Sequence, residues 1–443
     1  MMKNISIAFL LCCFAAPTNA QKNAPSSVAR VRLQCPIRLG GVFTRGLADN
    51  PDWQENSAEK GVKLSEENRR WMAQNCDVAA FPAVNLNPDT FPKTLREQTL
   101  FTPLLLAFAS TISEKPNVWG DVGGWEPRMT AWTLRDRNGK EVLPPQENAH
   151  WMDFANPLWA AHWRAQILKQ TQAVGAYGAV ISELPVANTS VGENLAKYRT
   201  STALADATGD WLRAVRTGNR FFVIPSALGF DRVAGHAVLP TPPGTERPDL
   251  GGSLWDAYYP VSDGAWDEGF LSPYWTDDIP SEEIREMRLQ AADRASAFGQ
   301  TYIAAGAYHN DAELEFLLAS YLLVARRQGR MVFQPMPISP LYDRDDAGRS
   351  FAVFKQQVIS RRTYFDVPLG YATRERQLVI GLDARVWRRD YSNGAVYVNS
   401  EDERSAILRF VPEMRRVTGE KIREIVLSPR SGLILLNSDV TMK

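Results

Sequence analysis

A chain of 443 residues has room for one large domain with a smaller companion, or for two domains of ordinary size. Lysine plus arginine number 50, and so do aspartate plus glutamate, so no basic field draws the chain to nucleic acid or to an anionic membrane. A hydrophobic share of 44% with 10% aromatic residues excludes a disordered chain and supports a packed core.

The N-terminus reads as an export signal. Lys3 supplies the positive start, Ile5 to Ala16 the apolar run, and Thr18-Asn19-Ala20 a small-residue cleavage site. That run is too short to span a bilayer, and no later segment is long and apolar enough. The expectation is an exported protein, processed near Ala20, with no stable membrane span. A lipid anchor on Cys12 or Cys13 is the alternative, although the small residue expected before a lipidated cysteine is absent. Cys35 and Cys76 then remain, and an oxidising compartment makes a disulfide between them the simplest reading, with two buried thiols as the alternative.

From about residue 30 to residue 375, strands and helices alternate. Gly40 to Thr44 is a first strand, Ser65 to Asn75 a helix capped by Ser65, and Val78 to Phe81 a second strand stopped by Pro82. Leu104 to Phe108 is a third, apolar enough to be covered on both faces. A long excursion from Ser110 to Asp153 carries Trp119, Asp121, Trp125, Trp132, His150 and Trp151, with a hairpin turn at Asn138-Gly139. Loops of that length in compact domains usually carry function or are mobile. Asn156-Pro157 opens the next helix. Ala179 to Ser182 is the fourth strand, delivering Glu183, and Gly192 to Arg216 reads as a helix.

Phe221 to Ile224 is the fifth strand. The sixth, Gly264 to Asp267, follows a loop rich in Pro, Gly and aromatics and delivers Glu268. Ser281 caps a helix with Ile284, Met287, Ala291, Ala295 and Phe298 on its buried face and Gly299 at its end. Tyr302 to Ala305 is the seventh strand, and Asp311 caps a helix bearing Leu314, Leu317, Leu318, Tyr321 and Leu322. Met331 to Phe333 is the eighth strand, closed by a helix over Ser350 to Arg361. The expected fold is therefore α/β, a (β/α)8 TIM barrel, with a doubly wound sheet as the alternative. Short strands at 378–382, 395–398, 406–410, 425–427 and 433–436, with an Asn393-Gly394 turn, predict a small C-terminal all-β, sandwich-like domain over residues 376–440.

Barrel enzymes place their chemistry at the C-terminal ends of the strands. That rule selects Glu183 and Glu268. Glycoside hydrolysis needs one acid to protonate the leaving oxygen and one carboxylate to attack or to activate water. Trp119, Asp121, Trp125, Trp151, Trp255, Tyr258, Trp266 and Trp275 are the candidate substrate-binding residues, since aromatic rings pair with the C–H faces of sugars. The plainer account of any one of these rings is packing, and of a strand-end glutamate an ion pair or a helix cap. Asp263 and Asp267 read as turn or supporting residues, and Asp121 and Asp153 as loop caps. No G-x-S-x-G, H-E-x-x-H or phosphate-cradling glycine loop occurs. His150, His162, His236 and His309 lack ligand spacing, so neither a metal nor another cofactor is expected.

Three stretches carry a family resemblance: Asp153 to Pro157, Gly175 to Glu183, and Asp263 to Phe270. With the Asn393 to Asn399 and Leu427 to Gly432 segments of the tail, they make the chain resemble the glycoside-hydrolase barrels grouped as hypothetical glycosyl hydrolase family 15. More distantly it is similar to polygalactosaminidase-type exopolysaccharide hydrolases. The resemblance implies an exported hydrolase acting on a polysaccharide or oligosaccharide. Such barrels commonly carry Asp-Gly before strand four and Asp at its end; here Tyr177 and Ser182 occupy those places. Either Glu183 takes the acid's role, or the chain is a carbohydrate-binding or polysaccharide-assembly protein on a barrel that has lost an acid.

Overall fold

The computed structural model describes residues 36–43, 66–82, 104–110, 112–113, 125–143, 149–182, 184, 195–198, 201–216, 222–226, 261–273, 279–326, 330–338 and 350–440. In chain order the strands of the first part are β1 (Gly40–Val42), β2 (Val78–Pro82) and β3 (Leu104–Ala109), then a short pair, β4 (Ile112–Ser113) and β5 (Ala149–His150). They continue with β6 (Gly178–Ser182), β7 (Phe222–Pro225), β8 (Gly264–Asp267), β9 (Thr301–Tyr308) and β10 (Arg330–Pro337). The helices are α1 (Glu66–Asn75), α2 (Pro157–Val174), α3 (Ser201–Arg216), α4 (Glu282–Ala297), α5 (Asp311–Val324), α6 (Phe351–Ser360) and α7 (Arg362–Phe365).

Setting the antiparallel β4–β5 pair aside, the strands form two parallel sheets, β1-β2-β3-β6-β7 and β10-β9-β8. One isolated parallel bridge joins them at each seam, Leu39 to Phe333 and Ser226 to Trp266. The order is thus cyclic, as expected, while the ladder around it is not continuous. At the first seam a side chain takes the ladder's part: Gln334 Nε2 donates to the Val42 carbonyl (3.1 Å), and its Oε1 accepts from the Val42 N–H (3.0 Å).

Alternation along the strands sorts the residues into two cores. Val42, Val78, Leu105, Val180, Ile224, Trp266, Ile303 and Val332, one from each strand, make a separate inner cluster. Their neighbours, such as Ala79, Leu106, Ile181, Val223, Tyr302 and Phe333, pack outward with the helices. Close packing leaves no room for a side chain at the start of β8, where a Cβ on Gly264 would lie 1.6 Å from the Thr301 carbonyl oxygen.

Local signals set most boundaries. Asn156 caps α2 by accepting from the Leu158 N–H, Pro157 occupies the first helical position, and Gly175 ends it at φ 66°. Ser281 and Ser350 cap α4 and α6. At α5 the cap is Asn310, which accepts from the Glu313 N–H (3.0 Å); Asp311, expected there, is the first helical residue. The helix expected over 192–216 begins only at Ser201, because Leu195 pairs with Asp136 and Ala196 donates to the Arg135 carbonyl. The Asn138-Gly139 turn forms, with Gly139 at φ 78° and Asp136 Oδ1 accepting from the Asn138 and Lys140 N–H groups.

The C-terminal part is one antiparallel sheet of order β11-β12-β13-β16-β14-β15. Its strands are β11 (Gln377–Leu378), β12 (Val386–Tyr391), β13 (Gly394–Asn399), β14 (Ala406–Arg416), β15 (Lys421–Leu427) and β16 (Ser431–Asn437). Val396, Val398, Ile434 and Leu436 join the core that holds α5. Ala395, Tyr397, Leu433 and Leu435 form a second cluster with Leu408, Phe410 and Ile422, so β14 and β15 cover the sheet's other face. α5 therefore lies between sheet and strands, and every residue from Leu314 to Val324 is buried. β12 escapes a sequence reading because its charged Val-Trp-Arg-Arg-Asp-Tyr run hides a buried face. The turn before β13 sits one residue early, on Ser392 and Asn393.

Candidate active site

On β8 the alternation puts Trp266 inward, Asp267 outward and Glu268 inward again, at the C-terminal end of the strand. Glu268 is 2% exposed, and Ser226 Oγ, just past the end of neighbouring β7, donates to its Oε1 at 3.3 Å. One strand further, Ser182 closes β6, is buried, and donates to the Phe108 carbonyl (3.3 Å). Three adjacent strands thus end in serine, serine and glutamate on the inner face.

Asp267 turns to the helices. Its Oδ2 accepts from the Tyr302 hydroxyl (2.7 Å), and its Oδ1 from Arg288 Nη1 (3.1 Å) and the Gly269 N–H (3.3 Å). Asp263, before β8, accepts from Arg216 Nη2 (2.8 Å) and the Val223 N–H (2.9 Å), and burial nevertheless pushes its carboxyl above the usual range. Both aspartates support the strand, in keeping with the sequence reading.

Among the described residues, the excursion after β3 holds two of the expected rings. Trp125 stacks on His150 with centroids 3.8 Å apart and planes 11° apart, and Glu141 Oε1 lies 2.5 Å from His150 Nδ1. Trp151 is buried in the core, with its carbonyl accepting from the Leu134 N–H (2.8 Å). Asp153 closes the excursion: it accepts from the Ala155 N–H (3.1 Å), the Tyr198 hydroxyl and Lys197 Nζ (2.8 Å). Burial first, and then this carboxylate, push the Tyr198 phenol up. Trp266 fills the inner cluster, so packing uses its ring as it uses that of Trp151.

Glu183, Trp119, Asp121, Trp255, Tyr258, Trp275 and Cys35 lie outside the described residues. Cys76 is buried between α1 and β2. Ser226, Arg288 and Tyr302 are the residues that sequence reasoning missed. Alternation from Phe222 would have found Ser226, whereas Arg288 gives no signal, since an arginine on a helix is ordinarily read as solvated.

A cavity of about 300 Å³ lies at the other end of the strands, lined by Arg38, Asp77, Leu105, Phe222, Thr301 and Arg330 among others. These residues stand at or near strand starts, away from Glu268, and the location rule for barrel enzymes favours the Glu268 end. Among the described residues, no group of three or more His, Cys, Asp or Glu is placed to hold a metal ion. No described helix is long and apolar enough to cross a membrane.

No family model matches the chain, and no curated protein matches it in sequence. Solved structures do match in shape. Isomaltulose synthase from Klebsiella sp. LX3 aligns over 90% of this chain and 98% of its own, at 10% identity and a TM-score of 0.50. Trehalose-6-phosphate hydrolase of Bacillus licheniformis aligns over 90% and 98%, at 8% identity and 0.50. MUTB, solved as an inactive double mutant, aligns over 93% and 100%, at 11% identity and 0.51. At such identities the likeness concerns the fold: a TIM-barrel-like α/β body with an all-β sheet behind it.

Proposed function

We propose that this chain is an exported glycoside hydrolase-like protein on a (β/α)8 barrel, cleaving glycosidic bonds in a polysaccharide or oligosaccharide with Glu268 and Glu183 as its carboxylate pair. The observation that supports this most is Glu268 itself, a buried carboxylate on the inner side of a strand's C-terminal end, hydrogen-bonded to Ser226. The C-terminal end of a strand is where barrel enzymes set such groups, and glycoside hydrolysis needs one carboxyl that protonates the leaving oxygen. Glu183, directly after β6, is the partner that would activate water or attack the sugar. The rings of Trp119, Trp125, Trp255, Tyr258 and Trp275 would line the groove. Two of the structures of similar fold carry sugar-directed names, the isomaltulose synthase and the trehalose-6-phosphate hydrolase, which agrees with this reading. Membership of hypothetical glycosyl hydrolase family 15, export with cleavage near Ala20, and a Cys35–Cys76 disulfide belong to the same proposal.

The test is a polysaccharide panel with reducing-end detection, run on the purified protein and on Glu268→Gln. Product from the wild type and a loss of at least about a hundredfold in the variant are expected, the scale of one general acid. Undiminished turnover in the variant would remove Glu268 from the reaction.

A second reading rests on Ser182 and Ser226. Both stand at strand ends where a second acid could be placed, and neither can act as one. A carbohydrate-binding or polysaccharide-assembly protein is what that reading gives; it requires a panel sugar that binds without any product.

A further inference from the structure

We infer that Asp267, Arg288 and Tyr302 form a buried clamp that positions the Glu268 carboxylate. The inference rests on the reading that Glu268 is the reacting group. Its basis is that the clamp grips the residues on either side of Glu268. Arg288 Nη1, from α4, donates both to Asp267 Oδ1 (3.1 Å) and to the Gly269 carbonyl. The Gly269 N–H donates back to Asp267 Oδ1 (3.3 Å), so the turn is closed on itself and tied to the helix. Tyr302, on β9, holds the other oxygen of Asp267 at 2.7 Å.

Downstream the chain stays fixed. The Phe270 N–H donates to the Ala305 carbonyl (2.9 Å), and Leu271 is buried at φ 57°, a strained conformation that only firm surroundings maintain. Asp267 and Arg288 are 3% and 2% exposed. A buried ion pair stabilises little by comparison with apolar residues of the same volume. Its gain here is direction: with both neighbours of Glu268 fixed outward, the glutamate side chain is left pointing at Ser226. The clamp residues touch no substrate; they act through the turn.

The experiment follows the Glu268 carboxyl by 13C NMR titration in the full-length protein labelled at glutamate Cδ, the signal assigned by its loss in Glu268→Gln. Tyr302→Phe removes only the clamp's hydroxyl, and Arg288→Lys keeps the charge while replacing the planar guanidinium, whose Nη1 reaches Asp267 and Gly269 together, by an ammonium on a different stem. In a folded Tyr302→Phe variant the turn loses one of its ties through Asp267 and the Ser226–Glu268 bond loosens. The Glu268 midpoint should then rise by about half a pH unit, since a carboxylate whose hydrogen-bond donor is less firmly held is harder to ionise. Ser226→Ala should shift it the same way. Unmoved midpoints in folded Tyr302→Phe and Arg288→Lys overturn the clamp, and so does failure of both variants to fold, which would make the trio an element of stability alone. The hydrolase reading is judged separately: absence of product from every panel sugar would end it while leaving the NMR result standing.

Discussion

Single side chains do some of the joining between the two parts of the molecule. Glu315, on α5, is 2% exposed, and its two oxygens accept from the Ile434 N–H (3.0 Å) and from Arg416 Nη2 (3.0 Å), both in the C-terminal sheet. Burial pushes its carboxyl above the usual range, and these two donors pull it only part of the way back. A folded-state value above the unfolded one means that this group favours the fold fully below the unfolded value, about 4.3. That contribution is lost as pH rises through the raised folded value. The stability of the wild type relative to Glu315→Gln should therefore fall as pH climbs above the ordinary glutamate range, read by urea unfolding at several pH values. A constant difference would mean that the carboxyl is not raised. Arg389, which donates from β12 to the carbonyls of Leu322, Leu323 and Ala325, caps the C-terminal end of the same helix.

Elements meet where side chains complete the backbone pairing. At the β1–β10 seam, Gln334 bonds both the N–H and the carbonyl of Val42, two groups that a continuous ladder would have paired. Gln334→Leu would leave both buried groups without this partner and should lower the unfolding free energy by about 1–3 kcal/mol, measured by chemical denaturation. A variant as stable as the wild type would mean that the seam relaxes into direct strand pairing. Gly432, on β16, meets α5 so closely that an added Cβ would lie 2.7 Å from the Phe316 Cα. α4 shows how far an element can depart from its hydrophobic pattern. Phe298, expected to be buried, is 72% exposed, while Arg285 and Arg288 are buried. The helix is turned by its partners: Arg285 reaches the Ser400 carbonyl (2.6 Å) and Asp402 (2.7 Å) in the C-terminal part, and Arg288 holds the Glu268 turn.

Across the whole molecule, α5 makes the C-terminal sheet indispensable. Its run of buried residues from Leu314 to Val324 would lose its cover on one side if the chain stopped before β11. A version ending near residue 370 should be insoluble or bind a hydrophobic dye strongly. A soluble, compact product with little dye binding would show that the barrel-like body closes over α5 by itself. Much of this architecture is legible in the sequence, because apolar runs such as Leu104 to Phe108 and caps such as Asn156 and Ser281 are local signals that tertiary contacts had no reason to override. The alternation that separates Trp266 from Asp267, and the inward place of Glu268, follow from two-residue periodicity in the same way. The seams, the buried arginines and the Ser226–Glu268 contact join residues distant in the chain. No local pattern encodes such contacts, since each depends on how neighbouring strands are staggered and how a helix is rotated upon them; the tertiary structure alone decided them.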